Sequence, residues 1–128
     1  GECEKCIEAC PTKAIEEPFV INSNKCLAYH TLENRDHKLP QTIIDKMGNW
    51  IAGCDICQDV CPWNHKDIQS TSENSLQPSE WILNLTKKDA LSWSDSKWKE
   101  QLEKSALKRI KPWMWRRNIN SISKNQKT

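Results

Sequence analysis

Two short cysteine runs hold most of the chemistry available to this chain. Cys3-Glu4-Lys5-Cys6-Ile7-Glu8-Ala9-Cys10-Pro11 and Cys54-Asp55-Ile56-Cys57-Gln58-Asp59-Val60-Cys61-Pro62 both read C-x2-C-x3-C-P, about fifty residues apart. Thiolates are ligands for soft metals. Spacings this short let successive sulfurs of one tight loop face a common centre. The proline after the last cysteine cannot continue a helix, so it turns the chain away from that centre. With Cys26 the total is seven cysteines, an odd number that suits a disulfide framework poorly, but it is the spacings that decide the chemistry.

A cubane iron–sulfur cluster needs four thiolates. In the bacterial pattern C-x2-C-x2-C-x3-C-P, the fourth cysteine ligates the other of two clusters. Cys3, Cys6 and Cys10 match the second, third and fourth cysteines of that pattern, and its first falls immediately before Gly1. We therefore expect a cysteine there, and we read the chain, which opens on Gly1 inside a motif, as a piece of a longer one. In the second run Ile51 stands where the first cysteine would be, and Cys26 can substitute from upstream. The crossed pattern then assigns Cys3, Cys6, Cys61 and the residue ahead of Gly1 to one [4Fe–4S] cluster. It assigns Cys10, Cys26, Cys54 and Cys57 to a second. Zinc also takes four cysteines from C-x2-C pairs, but it has no need of the repeated x3-C-P extension.

Other side chains carry less. His30, His37 and His65 occur singly and read as solvated side chains. Trp81, Trp98 and Trp113 fall in helical patterns and read as core. The hydrophobic fraction is 37%, which supports only a modest core and makes metal staples useful. Charge is uneven: residues 104–128 hold eight Lys or Arg and no acid, against 11 basic and 17 acidic groups before them. Lys108, Arg109, Lys111, Arg116 and Arg117 are candidates for phosphate contacts led by charge and shape. No apolar run approaches the roughly 18 residues of a membrane span, so no membrane partner is expected.

The elements that must hold these residues follow from local pattern. Lys13–Glu16 and Phe19–Asn22, parted by Glu17-Pro18, predict a hairpin. Ser23 or Asn24 is expected to cap a helix beginning near Lys25. Pro40 opens another through Ile43, Ile44 and Met47, stopped by Gly48. The polar stretch 66–78 reads as a linker. Beyond it, helices are expected from Ser79, from a cap at Trp93-Ser94-Asp95 through Trp98, Leu102, Ala106, Leu107 and Ile110, and from Pro112 through Ile119 and Ile122. The organisation is thus a domain over 1–65, a linker over 66–78 and a basic helical segment over 79–128, in the α+β class.

These residues resemble one family. Gly53-Cys54-Asp55-Ile56-Cys57-Gln58-Asp59-Val60-Cys61-Pro62-Trp63-Asn64 looks like the second cluster motif of epoxyqueuosine reductases, and Ile7 to Ile15 looks like their first. Lys25-Cys26-Leu27-Ala28-Tyr29-His30-Thr31-Leu32-Glu33 resembles the segment with the lone cysteine between them, and Gly48-Asn49 fits ahead of the second motif. Ala106 to Lys111 and on through Asn118 is similar to the basic helical segment that follows. The resemblance implies a bacterial ferredoxin-like module with two [4Fe–4S] clusters, followed by a helical, HEAT-like segment. It implies a cytoplasmic, cobalamin-dependent oxidoreductase of queuosine biosynthesis that reduces epoxyqueuosine to queuosine in tRNA, with the clusters relaying electrons to cobalamin. It also implies contact of Cys54 and Asp55 with cobalamin.

The family's cobalamin domain and catalytic acid lie before the first motif, so no catalytic residue is expected in this piece, which should be inactive alone. Partners would be tRNA and an electron donor, and the chain is expected to be a monomer. Two further readings stay open: a ferredoxin-type electron-transfer module of another redox protein, and a zinc-stapled binding module.

Overall fold

The computed structural model describes residues 2–66 and 70–125. Residues 67–69 of the expected linker, Gly1 and the last three residues lie outside them. The architecture is α+β, with eight α-helices and one two-stranded sheet among the described residues.

The two cysteine runs fold alike. Helix α1 spans Lys5–Ala9 and helix α4, three helices later, spans Ile56–Asp59. The residues before them, Glu4 (φ −113°, ψ 13°) and Asp55 (φ −109°, ψ 8°), share one conformation, and so do Cys10 and Cys61, both extended. Prolines at 11 and 62 enforce that ending, because the residue before a proline avoids the helical region. The sequence repeat is therefore a repeat of backbone geometry, and α1 packs directly on α4.

Between them come strands β1 (Ile15–Glu17) and β2 (Val20–Ile21), antiparallel with Ile15 opposite Ile21. The hairpin expected from the Glu-Pro break is present, and Phe19 takes a left-handed φ of 67° at its turn. A single 3-10 turn (Ser23–Lys25) leads into α2 (Leu27–Leu32). The helix thus starts two residues after the expected point. Asn22, not Ser23 or Asn24, caps the turn by accepting from the Asn24 N–H at 3.1 Å. Helix α3 (Gln41–Ile44) opens after Pro40 as expected, and Gly48 sits at φ +53° beyond its end.

The second half holds α5 (Glu80–Leu83), α6 (Lys87–Ser92), α7 (Asp95–Leu102) and α8 (Pro112–Asn125). Helix α6 was not legible: its first turn is Lys87-Lys88-Asp89, and only Ala90 is buried. The single helix expected through Ile110 stops after Leu102. Ser105 instead accepts from the Leu107 N–H at 3.1 Å and starts a 3-10 turn, Ala106–Arg109. A serine that caps a following turn competes with helix continuation, and here the cap wins over hydrophobic spacing.

Two apolar clusters meet along α8. Trp98, Leu102, Ile110, Met114, Trp115 and Ile119 form one. Trp98 is completely buried, stacks on Trp115 at 4.8 Å, and donates to the Ala90 carbonyl at 3.2 Å. Leu27, Leu39, Ile43 and Met47 form the other, and Ile122 of α8 completes it. Helix α8 is therefore a wall common to the cysteine-bearing half and the helical half. Trp81 and Trp113 pack against the first cluster as half-buried neighbours. No helix among the described residues is long and apolar enough to cross a membrane.

Candidate metal centre

All seven cysteines are free thiols. Cys10, Cys26, Cys54 and Cys57 come from four places in the chain: the end of α1, the start of α2, the loop before α4, and α4 itself. They line one cavity of about 60 Å³, whose remaining wall is largely apolar and includes Ala14, Ile15, Ile21 and Leu27. The hairpin explains the wall. Pairing of Ile15 with Ile21 presents one side of the ribbon to the cysteines.

The electrostatics agree with this grouping. Burial pushes the Cys54 thiol up; a hydrogen bond from the Ile56 amide opposes it, and the nearby thiols of Cys57, Cys26 and Cys10 push it further up. Like charges gathered in one site resist ionising together, and a cation bound among them removes that penalty. Cys10 goes the other way. Burial pushes its thiol up, but hydrogen bonds from the Thr12 side chain and from the amides of Ala14, Thr12 and Ile15 hold it below the ordinary thiol value. The Ala14 N–H reaches Cys10 Sγ at 3.2 Å because Lys13 turns the chain back through a left-handed φ of 53°. Amide donors to sulfur stabilise a thiolate and are one of the levers on cluster potential.

Among the described residues, no three His, Cys, Asp or Glu side chains converge at single-ion distances. A zinc held by thiolates at about 2.3 Å would draw its sulfurs to roughly 4 Å from one another.

Cys3, Cys6 and Cys61 do not line this cavity. Cys6 and Cys61 are half-buried and Cys3 is exposed. Val60, the neighbour of Cys61, shares a surface cavity with Lys5, Glu8 and Ala9 of α1. The position ahead of Gly1 lies outside the described residues. Asp55 is exposed at the start of α4, beside half-buried Cys54.

The histidines are not simply solvated. His30 is 4% exposed: Nδ1 accepts from Asn34 at 2.9 Å, so Nε2 donates to the Asn24 carbonyl at 2.8 Å. His37 is exposed with its ring 4.8 Å from Trp113, and exposed His65 bonds the Asp59 carbonyl.

The basic candidates split. Arg117 is 8% exposed and donates to the carbonyls of His30 (2.9 Å), Asn34 (2.8 Å) and Asp36 (2.6 Å). Arg116 donates to Asp95 and to the Trp93 carbonyl. Arg109 pairs with Glu33 at 2.7 Å. Arg117 is thus buried against backbone carbonyls, while Arg116 is half-buried and paired with exposed Asp95. Their helix needs an apolar face, and Arg117 lies on the side that meets the carbonyl-rich end of α2. Lys108 and Lys111 remain exposed, and with Lys99 they border a small cavity of about 120 Å³.

Residues 1–64 match the family model described as a 4Fe–4S double cluster binding domain. An epoxyqueuosine reductase of Prochlorococcus marinus (strain NATL2A) is 81% identical over 97% of this chain and 40% of its own length. One from Synechococcus sp. (strain CC9605) is 56% identical over 92% of the chain and 37% of its own. The chain thus spans about two fifths of the length of these curated relatives. The crystal structure of a selenomethionine-labelled epoxyqueuosine reductase superposes with a TM-score of 0.87 at 29% identity, covering 98% of this chain and 32% of that one. A structure of an epoxyqueuosine reductase with a tRNA-Tyr epoxyqueuosine-modified stem loop superposes with a TM-score of 0.81 at 30% identity, covering 98% and 32%.

Proposed function

Since the chain belongs to the family of 4Fe–4S double cluster binding domains, we propose that it is the electron relay of an epoxyqueuosine reductase acting on tRNA. The observation that carries this reading is the meeting of Cys10, Cys26, Cys54 and Cys57 around one apolar cavity. The crossed pattern gives the same four cysteines to one cluster.

In this reading Cys10, Cys26, Cys54 and Cys57 hold one [4Fe–4S] cluster. Cys3, Cys6 and Cys61 hold the other, with a fourth cysteine ahead of Gly1. The crossing matters: Cys10 follows α1 yet serves the cluster of α4, and Cys61 does the reverse. Each motif helix is thereby tied to both centres, and the α1–α4 contact sets their separation. When bound, the clusters supply one-electron steps at low potential. Ile15, Ile21 and Leu27 keep water from one of them, and the Ala14 amide holds charge on Cys10.

Cobalamin, when bound, would supply the reducing cobalt chemistry, with the clusters as its source of electrons. Toward it this chain offers exposed Asp55 beside half-buried Cys54, which fits a side contact. A tRNA partner, an electron donor, a monomeric state and a cytoplasmic setting are parts of the same proposal. The exposed lysines Lys108 and Lys111 support the tRNA part.

The test is iron and acid-labile sulfide per chain after anaerobic reconstitution, with a cysteine placed ahead of Gly1. About eight irons with matching sulfide are expected for two cubanes. Conversion of epoxyqueuosine in tRNA by a protein carrying this chain should then require cobalamin. A reversible low-potential optical change with no dependence on cobalamin or tRNA would favour a relay of another redox protein. A colourless, zinc-loaded chain would sink the redox reading.

A further inference from the structure

A buried polar network joins the helical half to the loop that carries Cys54. Thr31 and Asn118 are both completely buried. The Asn118 amide donates to the Thr31 carbonyl at 2.9 Å and to the Ile51 carbonyl at 2.8 Å. The Thr31 hydroxyl donates to the Leu27 carbonyl at 2.9 Å and accepts from the Gly53 N–H at 3.0 Å. Gly53 has a φ of +81°, which suits glycine, and it immediately precedes Cys54. Asn118 Oδ1 in turn accepts from Arg117 at 3.0 Å, and Arg117 gathers the carbonyls at the end of α2. One asparagine and one hydroxyl therefore pin two of the segments at the four-cysteine cavity: α2, which Cys26 immediately precedes, and the loop 51–53 ahead of Cys54.

We propose that Thr31 and Asn118 are positioning residues for the cluster held by Cys10, Cys26, Cys54 and Cys57, setting where the Cys54 sulfur stands and through it that cluster's stability and potential. The inference rests on the cluster reading above. Its physical basis is that a buried donor or acceptor left without a partner forces local rearrangement, and here the group left over is the amide one residue from a ligand. Outer partners of this kind orient ligands and tune the metal. The other cluster's residues Cys3, Cys6 and Cys61 appear nowhere in the network.

The test compares wild type, Thr31→Val, Thr31→Ser and Asn118→Asp, each with a cysteine ahead of Gly1 and reconstituted anaerobically. Iron per chain and the midpoint potentials of both clusters are read by potentiometric titration followed by EPR. Thr31→Val keeps shape but loses the hydroxyl. It should either lose about half the iron, leaving one signal, or hold both clusters with one midpoint displaced and the other unmoved. Thr31→Ser should restore wild-type iron and potentials. Asn118→Asp keeps the acceptor for Arg117 while losing both donors, so it should affect the same cluster even if the valine variant fails to fold. Thr31→Val and Asn118→Asp with full iron and both midpoints at wild-type values would overturn the inference. So would equal displacement of both clusters. Wild type without iron would overturn the cluster reading and the inference together.

Discussion

At the scale of single residues, the ligand scheme and the buried arginine make separate predictions. Cys57 lines the four-cysteine cavity, and the proposed scheme gives it no part in the other cluster. Cys57→Ser should lower iron and sulfide toward about four per chain, with the remaining cluster intact by EPR; full retention of both clusters would contradict the assignment. Arg117 is a different kind of residue. Its guanidinium donates to three backbone carbonyls of the cysteine-bearing half. Arg117→Met keeps much of the volume and the contact with Trp113, whose ring lies 5.4 Å away, but strands those carbonyls. Hydrogen bonds to a charged group are worth about 1.5–3 kcal/mol, so a loss of about 3 kcal/mol in unfolding free energy is expected by denaturant titration. A loss below about 1 kcal/mol would mean that water takes over the carbonyls and that the arginine is not structural.

At the scale of elements, caps decide where helices begin and end. Ser94 accepts from the Lys97 N–H at 3.2 Å at the start of α7, which carries Trp98 into the core. Ser94→Ala should cost about 1 kcal/mol, seen as a lower denaturation midpoint with unchanged slope; no change would show that burial of Trp98 alone sets the start of α7. This cap was legible because Trp93-Ser94-Asp95 sits directly before an apolar pattern of helical spacing. The hairpin was legible from the Glu-Pro break, and the four thiols of one site were legible because ligand spacing obeys metal geometry, which is independent of the rest of the fold. What was not legible depends on long-range partners. The break after Leu102 needs Ser105 to choose a turn over a helix. The inward turn of Arg117 depends on carbonyls more than eighty residues away. Thr31 and Asn118 carry no local signal at all, since their worth lies in joining the α2 segment, the loop before Cys54 and α8.

At the scale of the whole molecule, charge and fold have to be separated before any surface can be assigned to tRNA. The eight basic residues of 104–128 look like one patch in sequence, but α8 uses Arg117 to fasten itself to the cysteine-bearing half and Arg116 to hold the start of α7. Glu33 partly neutralises Arg109. The basic surface that is left centres on Lys108 and Lys111, joined by Lys99 from α7. Phosphate contacts made by exposed lysines release counterions, so each contributes to the salt dependence of binding. In a protein carrying this chain, Lys108→Glu with Lys111→Glu should weaken binding of a tRNA anticodon stem loop and lower the slope of log affinity against log salt by about 2. Iron content and unfolding free energy should stay at wild-type values, because neither side chain is buried or bonded to the cysteine-bearing half. Arg117→Glu should do the opposite, unfolding the junction first and losing RNA only as a consequence. If the double lysine variant binds the stem loop with unchanged affinity and unchanged slope, the tRNA surface lies elsewhere and the basic tail is a solvated face. If it loses iron as well, the lysines support the fold and the RNA assignment fails on that ground.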